Sequence, residues 1–93
     1  MDLSQRYAID MNKLTFRIID AEAVILNLDN GYYYSLNETG TKIWNKINDG
    51  KNLSEILSSL KAEYRIPENK FKNDLLVLVK DLEKEKLVRQ NSK

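Results

Sequence analysis

The chain has 93 residues, enough for one domain and too few for a two-domain enzyme or a large cofactor cradle. Its 15 Lys+Arg against 14 Asp+Glu leave a net charge of +1, without the basic surplus that binding nucleic acid through bulk charge requires. With no cysteine and no histidine, disulfide frameworks and thiolate metal sites are excluded, and the usual general base, the commonest nucleophile pairs and the usual zinc ligands are missing; a binding module with no cofactor is favoured over an enzyme.

Residues 1–14 are polar with scattered apolar side chains (Leu3, Tyr7, Ile9, Met11) and are expected to form a flexible or extended arm. Residues 15–89 are expected to be the folded domain, and residues 90–93 a polar tail. No apolar run approaches the roughly 20 residues that span a bilayer. Residues 1–6 lack the apolar stretch of a signal peptide, so the expectation is a cytoplasmic protein with no membrane partner.

Three short β-branched and aromatic runs read as strands at residues 15–19, 23–28 and 32–36. Asp29-Asn30-Gly31 joins the last two. A two-residue loop would leave neither face of that hairpin clean. A three-residue loop sets Leu28, Leu26 and Val24 opposite Tyr32, Tyr34 and Leu36 on one apolar face, with Ile25, Asn27, Tyr33 and Ser35 on the other. It also places Gly31 last, where a left-handed conformation is wanted, so this register is expected.

From Asn37 the spacing becomes helical. Asn37 is a good N-cap with Glu38 in the first turn, Gly40, Ile43, Trp44 and Ile47 share a face, and Asp49-Gly50 ends the helix. Asn52 and Glu55 form a capping box for a second helix whose apolar positions are Leu53, Ile56, Leu57, Leu60 and Tyr64. Ile66-Pro67 breaks the chain, and Pro67 suits the first turn of a third helix running to about residue 86. At about 100° per residue, Phe71, Leu75, Leu78 and Leu82 form its core stripe. Beside them lies a second strip of Lys72, Leu76, Val79 and Glu83, with Lys80 at its far edge. That strip reads either as a wide core face edged by lysine stems or as a groove, with Leu76 and Val79 as floor and Lys72 and Lys80 as anion contacts.

The runs Phe16-Arg17-Ile18-Ile19-Asp20, Ala23-Val24-Ile25-Leu26-Asn27-Leu28-Asp29 and Gly31-Tyr32-Tyr33-Tyr34-Ser35-Leu36-Asn37 resemble the PqqD-like family of precursor-peptide recognition elements, as does the continuation through Gly40 to Ile43-Trp44. The resemblance spans roughly residues 15 to 88 and departs at Glu85, where many members carry a glycine before the final Leu-Val. It implies an α+β, winged helix-turn-helix-like fold, a three-stranded antiparallel sheet followed by three helices. The element order read from the residues agrees.

The resemblance also implies a stand-alone, non-catalytic domain. It would bind the leader of a ribosomally made precursor peptide and present it to a modifying enzyme, such as a radical-SAM enzyme, a protease or a cyclase. The leader would add to the edge of the third strand, beside the third helix. On that basis the peptide-binding residues are Tyr32, Tyr33, Tyr34, Ser35 and Leu36 from the strand and Lys72, Leu76, Val79, Lys80 and Glu83 from the helix, with the lysines meeting an acidic leader. Tyr33 is the better exposed contact, whereas Tyr34 and Trp44 read first as core.

The alternative is a winged-helix DNA-binding regulator presenting Glu68, Asn69, Lys70, Lys72 and Asn73. The balanced charge and the acidic residues Asp74, Asp81, Glu83 and Glu85 count against it, so no nucleic-acid partner is expected. A small enzyme is poorly supported, because no second catalytic group accompanies Asp20/Glu22 or Glu83/Glu85. A monomer is the default, with the unpaired third strand or the N-terminal arm able to pair or swap between chains.

Overall fold

The computed structural model describes residues 3–64 and 67–91. The elements run β1 (Arg6–Ile9), β2 (Leu14–Ile19), β3 (Glu22–Asn27), β4 (Tyr33–Ser35), α1 (Glu38–Asn48), α2 (Leu53–Glu63), α3 (Glu68–Lys84) and β5 (Val88–Asn91). The expected three-stranded antiparallel sheet, order β2-β3-β4, is followed by the three expected helices, and a small antiparallel sheet pairs β1 with β5.

In the main sheet, β2 and β3 are joined by the two-residue turn Asp20-Ala21, with Ile19 opposite Glu22. Both turn residues have positive φ, 51° and 67°, the backbone of a type I′ turn whose twist matches that of the strands. The β3–β4 register differs from the expected one by one residue. Val24 faces Ser35, Ile25 faces Tyr34 and Leu26 faces Tyr33. The loop is Leu28 to Gly31, closed by a 2.8 Å bond from the Gly31 N–H to the Asn27 carbonyl. Two side chains hold this longer loop: Asn27 Oδ1 accepts from the Asp29 N–H, and Asn30 Oδ1 from the Tyr32 N–H, each at 2.9 Å. The slip exchanges the faces of the sheet, as a one-residue slip must. Ala23, Ile25 and Leu36 are buried, while Val24 and Leu26 lie half-buried on the opposite face.

The helices cover the Ala23/Ile25 face. α1 lies against β3. A Cβ on Gly40 would meet Asn37 Oδ1 at 3.3 Å and the Leu36 Cβ at 3.4 Å, so the lack of a side chain there leaves room for the Asn37 cap and for Leu36. Both N-caps form as expected: Asn37 Oδ1 accepts from the Gly40 N–H, and Asn52 and Glu55 make a reciprocal capping box. Of the break at Ile66-Pro67, Ile66 lies outside the described residues; Pro67 holds the N-cap position of α3.

α1 and α3 end alike. After α1 the N–H groups of Gly50 and Lys51 reach back to the Ile47 and Lys46 carbonyls; after α3 those of Lys86 and Leu87 reach back to Glu83 and Leu82. Each is a Schellman closure with a left-handed residue, Gly50 in one and Lys86, at φ 62°, in the other. The helix thus stops at Lys84, two residues before the expected end, and the left-handed position falls on Lys86, next to the Glu85 noted above.

Residues 6–9 of the presumed arm are strand, paired Arg6 to Asn91 through Ile9 to Val88. Its anchor is Tyr7, only 2% exposed, and Leu14 at the start of β2 is also buried. The presumed tail likewise begins inside β5, which takes in Gln90 and Asn91. Ahead of β1, the carbonyls of Leu3 and Gln5 accept from the Ser54 and Leu53 N–H groups, satisfying first-turn donors of α2 that have no partner within the helix.

One core joins these parts: Tyr7, Leu14 and Ile25 from strands, Trp44 and Ile47 from α1, Ile56 and Leu60 from α2, Leu75, Val79 and Leu82 from α3, and Leu87 beyond it. Trp44 is fully buried, with the Phe16 ring edge-on at 5.3 Å between centroids. Among the described residues no helix is long and apolar enough to cross a membrane.

Candidate functional site

Strand β4 is paired on one side only. Its ladder to β3 decides what the open side offers. The Asn27 N–H bonds to the Tyr32 carbonyl and the Leu36 N–H to the Ala23 carbonyl, each at 2.9 Å. In an antiparallel pair, inward and outward peptide groups alternate. Tyr32, Tyr34 and Leu36 therefore spend their backbone groups on β3, and Tyr33 and Ser35 direct theirs to the open edge.

Along that edge lie two clefts. The larger, of about 390 Å³, is framed by Tyr34, Ser35 and Leu36, by Asn37, Thr39, Gly40 and Ile43 at the start of α1, and by Phe71, Asp74 and Leu78 of α3. The smaller, of about 170 Å³, lies at the hairpin end among Asn30, Tyr32, Tyr33, Tyr34, Glu85 and Leu87. Helix α3 thus runs antiparallel to β4, its early turns beside Leu36 and its last turn beside Tyr32. Its groove-facing flank is apolar at Phe71 and Leu78 and acidic at Asp74, Asp81 and Glu85. Burial first, then the charges of Asp81 and Glu85, holds the Tyr34 phenol above the ordinary tyrosine range.

The sequence-derived candidates divide accordingly. Tyr34, Ser35 and Leu36 line the larger cleft, and Tyr32 and Tyr33, 73% and 70% exposed, stand at the smaller one. The helix candidates do not join them. Val79, expected as groove floor, is fully buried in the core, and Leu76 is half-buried against it. Glu83 lies on the far side, in a cleft with Asp10, Lys13, Lys86 and Arg89, and its charge acts on Tyr7 of β1. Lys72 and Lys80 share the Glu83 side of the helix by the 100° rule. The reason is a rotation: Val79 belongs to the buried stripe and Leu78 to its edge. The helix is therefore turned by about a quarter of a residue step relative to the expected stripe, with Asp74, Leu78, Asp81 and Glu85 on the flank towards β4. The surplus of apolar positions on α3 was the available signal, but it does not say which edge of the stripe is open.

α3 is not set up to read DNA. Lys70 is paired with Asp74 at 3.3 Å, and the exposed carboxylates Asp74, Asp81 and Glu85 lie along one flank. Among the described residues no group of three or more His, Cys, Asp or Glu is placed to hold a metal ion.

No curated protein matches the chain. Among solved structures, TbiB1 in complex with the TbiA(beta) leader peptide superposes with a TM-score of 0.83 at 28% identity, over 92% of this chain and 99% of that one. A lasso peptide synthetase B1 complexed with the leader peptide shares the fold, with a TM-score of 0.81 at 21% identity over 90% and 98% of the two chains. The family model of coenzyme PQQ synthesis protein D (PqqD) matches residues 22–88, from the first residue of β3 to the first of β5. With well over half of its length matched, from the open-edged hairpin through all three helices, the chain belongs to the PqqD family.

Proposed function

We propose that this protein is a non-catalytic recognition element that captures the leader of a ribosomally synthesised precursor peptide by strand addition and presents it to a modifying enzyme, such as a radical-SAM enzyme, a protease or a cyclase. The observation that carries this reading is the open edge of β4, with the peptide groups of Tyr33 and Ser35 facing outward and clefts on the α3 side. Main-chain bonds to such an edge supply affinity, and the pockets beside it supply specificity. An uncovered edge is otherwise an aggregation liability, so a peptide that occupies it has a structural use as well. TbiB1, the 28% identical relative, is seen with a leader peptide bound, which supports the same role here.

The test is a ¹⁵N NMR titration with synthetic leaders from precursor frames encoded beside the gene. Shifts are expected at Tyr33, Ser35 and Asn37 and along α3 from Phe71 to Glu85. Shifts confined to α2 or to the β1–β5 pair would overturn the reading.

A further inference from the structure

The flank of α3 that faces β4 carries carboxylates in its C-terminal half that make no ion pair among the described residues. Asp74, in the early turns, is already paired with Lys70 at 3.3 Å. Asp81 and Glu85 are exposed and, among the described residues, neither has an ion-pair partner. Glu85 lines the hairpin-end cleft with Tyr32 and Tyr34, and Asp81, one turn earlier, falls on the same flank of the helix as Asp74 and Leu78. The larger cleft at the other end has an apolar wall of Ile43, Phe71 and Leu78.

A strand added to β4 would meet these features in a set order. Both ladders of this sheet are antiparallel, and an added strand of the same sense runs from Leu36 towards Tyr32. Directly opposed residues share a face. A peptide residue opposite Leu36 therefore points into the larger cleft, towards its wall of Ile43, Phe71 and Leu78. The residue two positions on lies opposite Tyr34, and the one four positions on lies opposite Tyr32; both point towards α3, beside Asp81 and Glu85. The intervening residues point to the other face of the sheet.

We infer that the groove selects leader segments in which an apolar residue is followed, two and four positions later, by lysine or arginine, with Asp81 and Glu85 as the specificity-determining carboxylates. This rests on the peptide-binding reading above and deepens it. It also reverses the polarity expected from Lys72 and Lys80, which lie on the other side of the helix. The charges act at a half-open groove, so their effect is moderate and salt-sensitive.

Four synthetic eleven-residue peptides of one extended sequence test it: a central leucine followed at positions two and four by lysine, the same peptide with glutamine, the same with glutamate, and one with the lysines two and four positions before the leucine. Binding is read by fluorescence anisotropy at low and high salt, with the double variant Asp81→Asn, Glu85→Gln in parallel. The first peptide should bind about tenfold more tightly than the glutamate peptide at low salt. The advantage should shrink at high salt and largely vanish in the double variant. Equal binding of the lysine, glutamine and glutamate peptides, with NMR shifts still at Tyr33 and Ser35, would overturn the charge preference and leave leader capture standing. Preference for the peptide with lysines before the leucine would overturn the stated order. A lysine advantage that survives in the double variant would overturn the role of Asp81 and Glu85. Failure of all four peptides to bind would overturn the inference, while the titration with encoded leaders judges leader capture separately.

Discussion

The hydroxyl of Thr41, in α1, accepts a hydrogen bond from the backbone N–H of Ala23, in β3, at 2.8 Å. It also faces the Leu36 carbonyl at 3.3 Å, as the donor. The Leu36 N–H already bonds to the Ala23 carbonyl, so Thr41 occupies the place of the return bond in that ladder pair. One buried side chain thus ties the helix to the last rung of the strand that borders the groove. Thr41→Val keeps the shape and removes the hydroxyl, leaving a buried N–H and a carbonyl without it. Urea denaturation should show a loss of about 1–3 kcal/mol. An unchanged midpoint would mean that the strand end relaxes to close its own ladder.

Ser35→Pro separates binding from folding. The Ser35 N–H points to the open edge, so proline removes a donor that the domain itself does not use. Stability should change by less than about 1 kcal/mol, while strand addition loses a main-chain bond and meets the proline ring. Leader affinity, measured by calorimetry, should fall at least about tenfold. Full affinity in this variant would show that the peptide does not pair with β4.

Besides Asp20, both Ala21 and Lys86 adopt backbone conformations that favour glycine. Ala21 has φ 67° in the β2–β3 turn, and Lys86 has φ 62° in the closure after α3. The left-handed region costs a residue with a Cβ about 1 kcal/mol or more. Ala21→Gly and Lys86→Gly should each raise stability by about 0.5–1 kcal/mol in urea melts, after the greater freedom of glycine in the unfolded chain offsets part of the gain. A destabilised Lys86→Gly would mean that the lysine side chain makes a contact worth more than the strain.

Alkaline pH should weaken the fold through buried phenols. Burial is the larger cause that raises Tyr7 above its ordinary 10.0; Gln90 lowers it by hydrogen bonding, and the charge of Glu83 raises it again. The folded state then holds the proton longer than the unfolded chain. The stability this gives is complete below about pH 10 and is lost as pH rises through the folded value. Tyr34 is raised for a similar reason and adds to the loss. Lys42, raised chiefly by its hydrogen bond to Glu63, loses its contribution in the same direction. Urea midpoints should hold steady from about pH 7 to 9 and fall above about pH 10. The fall should be shallower in Tyr7→Phe; an identical profile in that variant would remove Tyr7 as a cause.

Val79→Asp and Trp44→Ala probe the core from two sides. Both residues are fully buried. Trp44→Ala should cost about 3–5 kcal/mol, the range for emptying a large aromatic site. Val79→Asp forces a carboxylate among apolar neighbours and should abolish cooperative unfolding at neutral pH. A folded Val79→Asp with impaired leader binding would restore Val79 to the groove.

Much of this architecture can be read from local chemistry. Asn37, Asn52 with Glu55, and Gly50 mark helix ends through bonds made within a few residues, and those marks hold. The β3–β4 register was not legible, because β3 alternates apolar residues on both faces. Ala23 and Ile25 compete with Val24 and Leu26, and the choice depends on a helix close enough to want a small residue at position 23. The groove side of α3 was misplaced for a related reason: Leu78 and Val79 are adjacent and alike, and only the packing partner decides which is buried. Strands β1 and β5 leave no local signature because each is four residues long and finds its partner about eighty residues away.

That last pairing has a consequence for how the protein is made. Arg6 and Asn91 are ladder partners, so β1 must wait for residues 88–91 to leave the ribosome before it can close. Closing so long a loop is slow, whereas the hairpins and helices between need only near neighbours. The order of assembly is therefore inside first and ends last, with Tyr7 the final large side chain to be covered. In stopped-flow refolding, Tyr7 substitutions should leave the folding rate nearly unchanged and speed unfolding, the mark of a clasp that shuts after the barrier has been crossed.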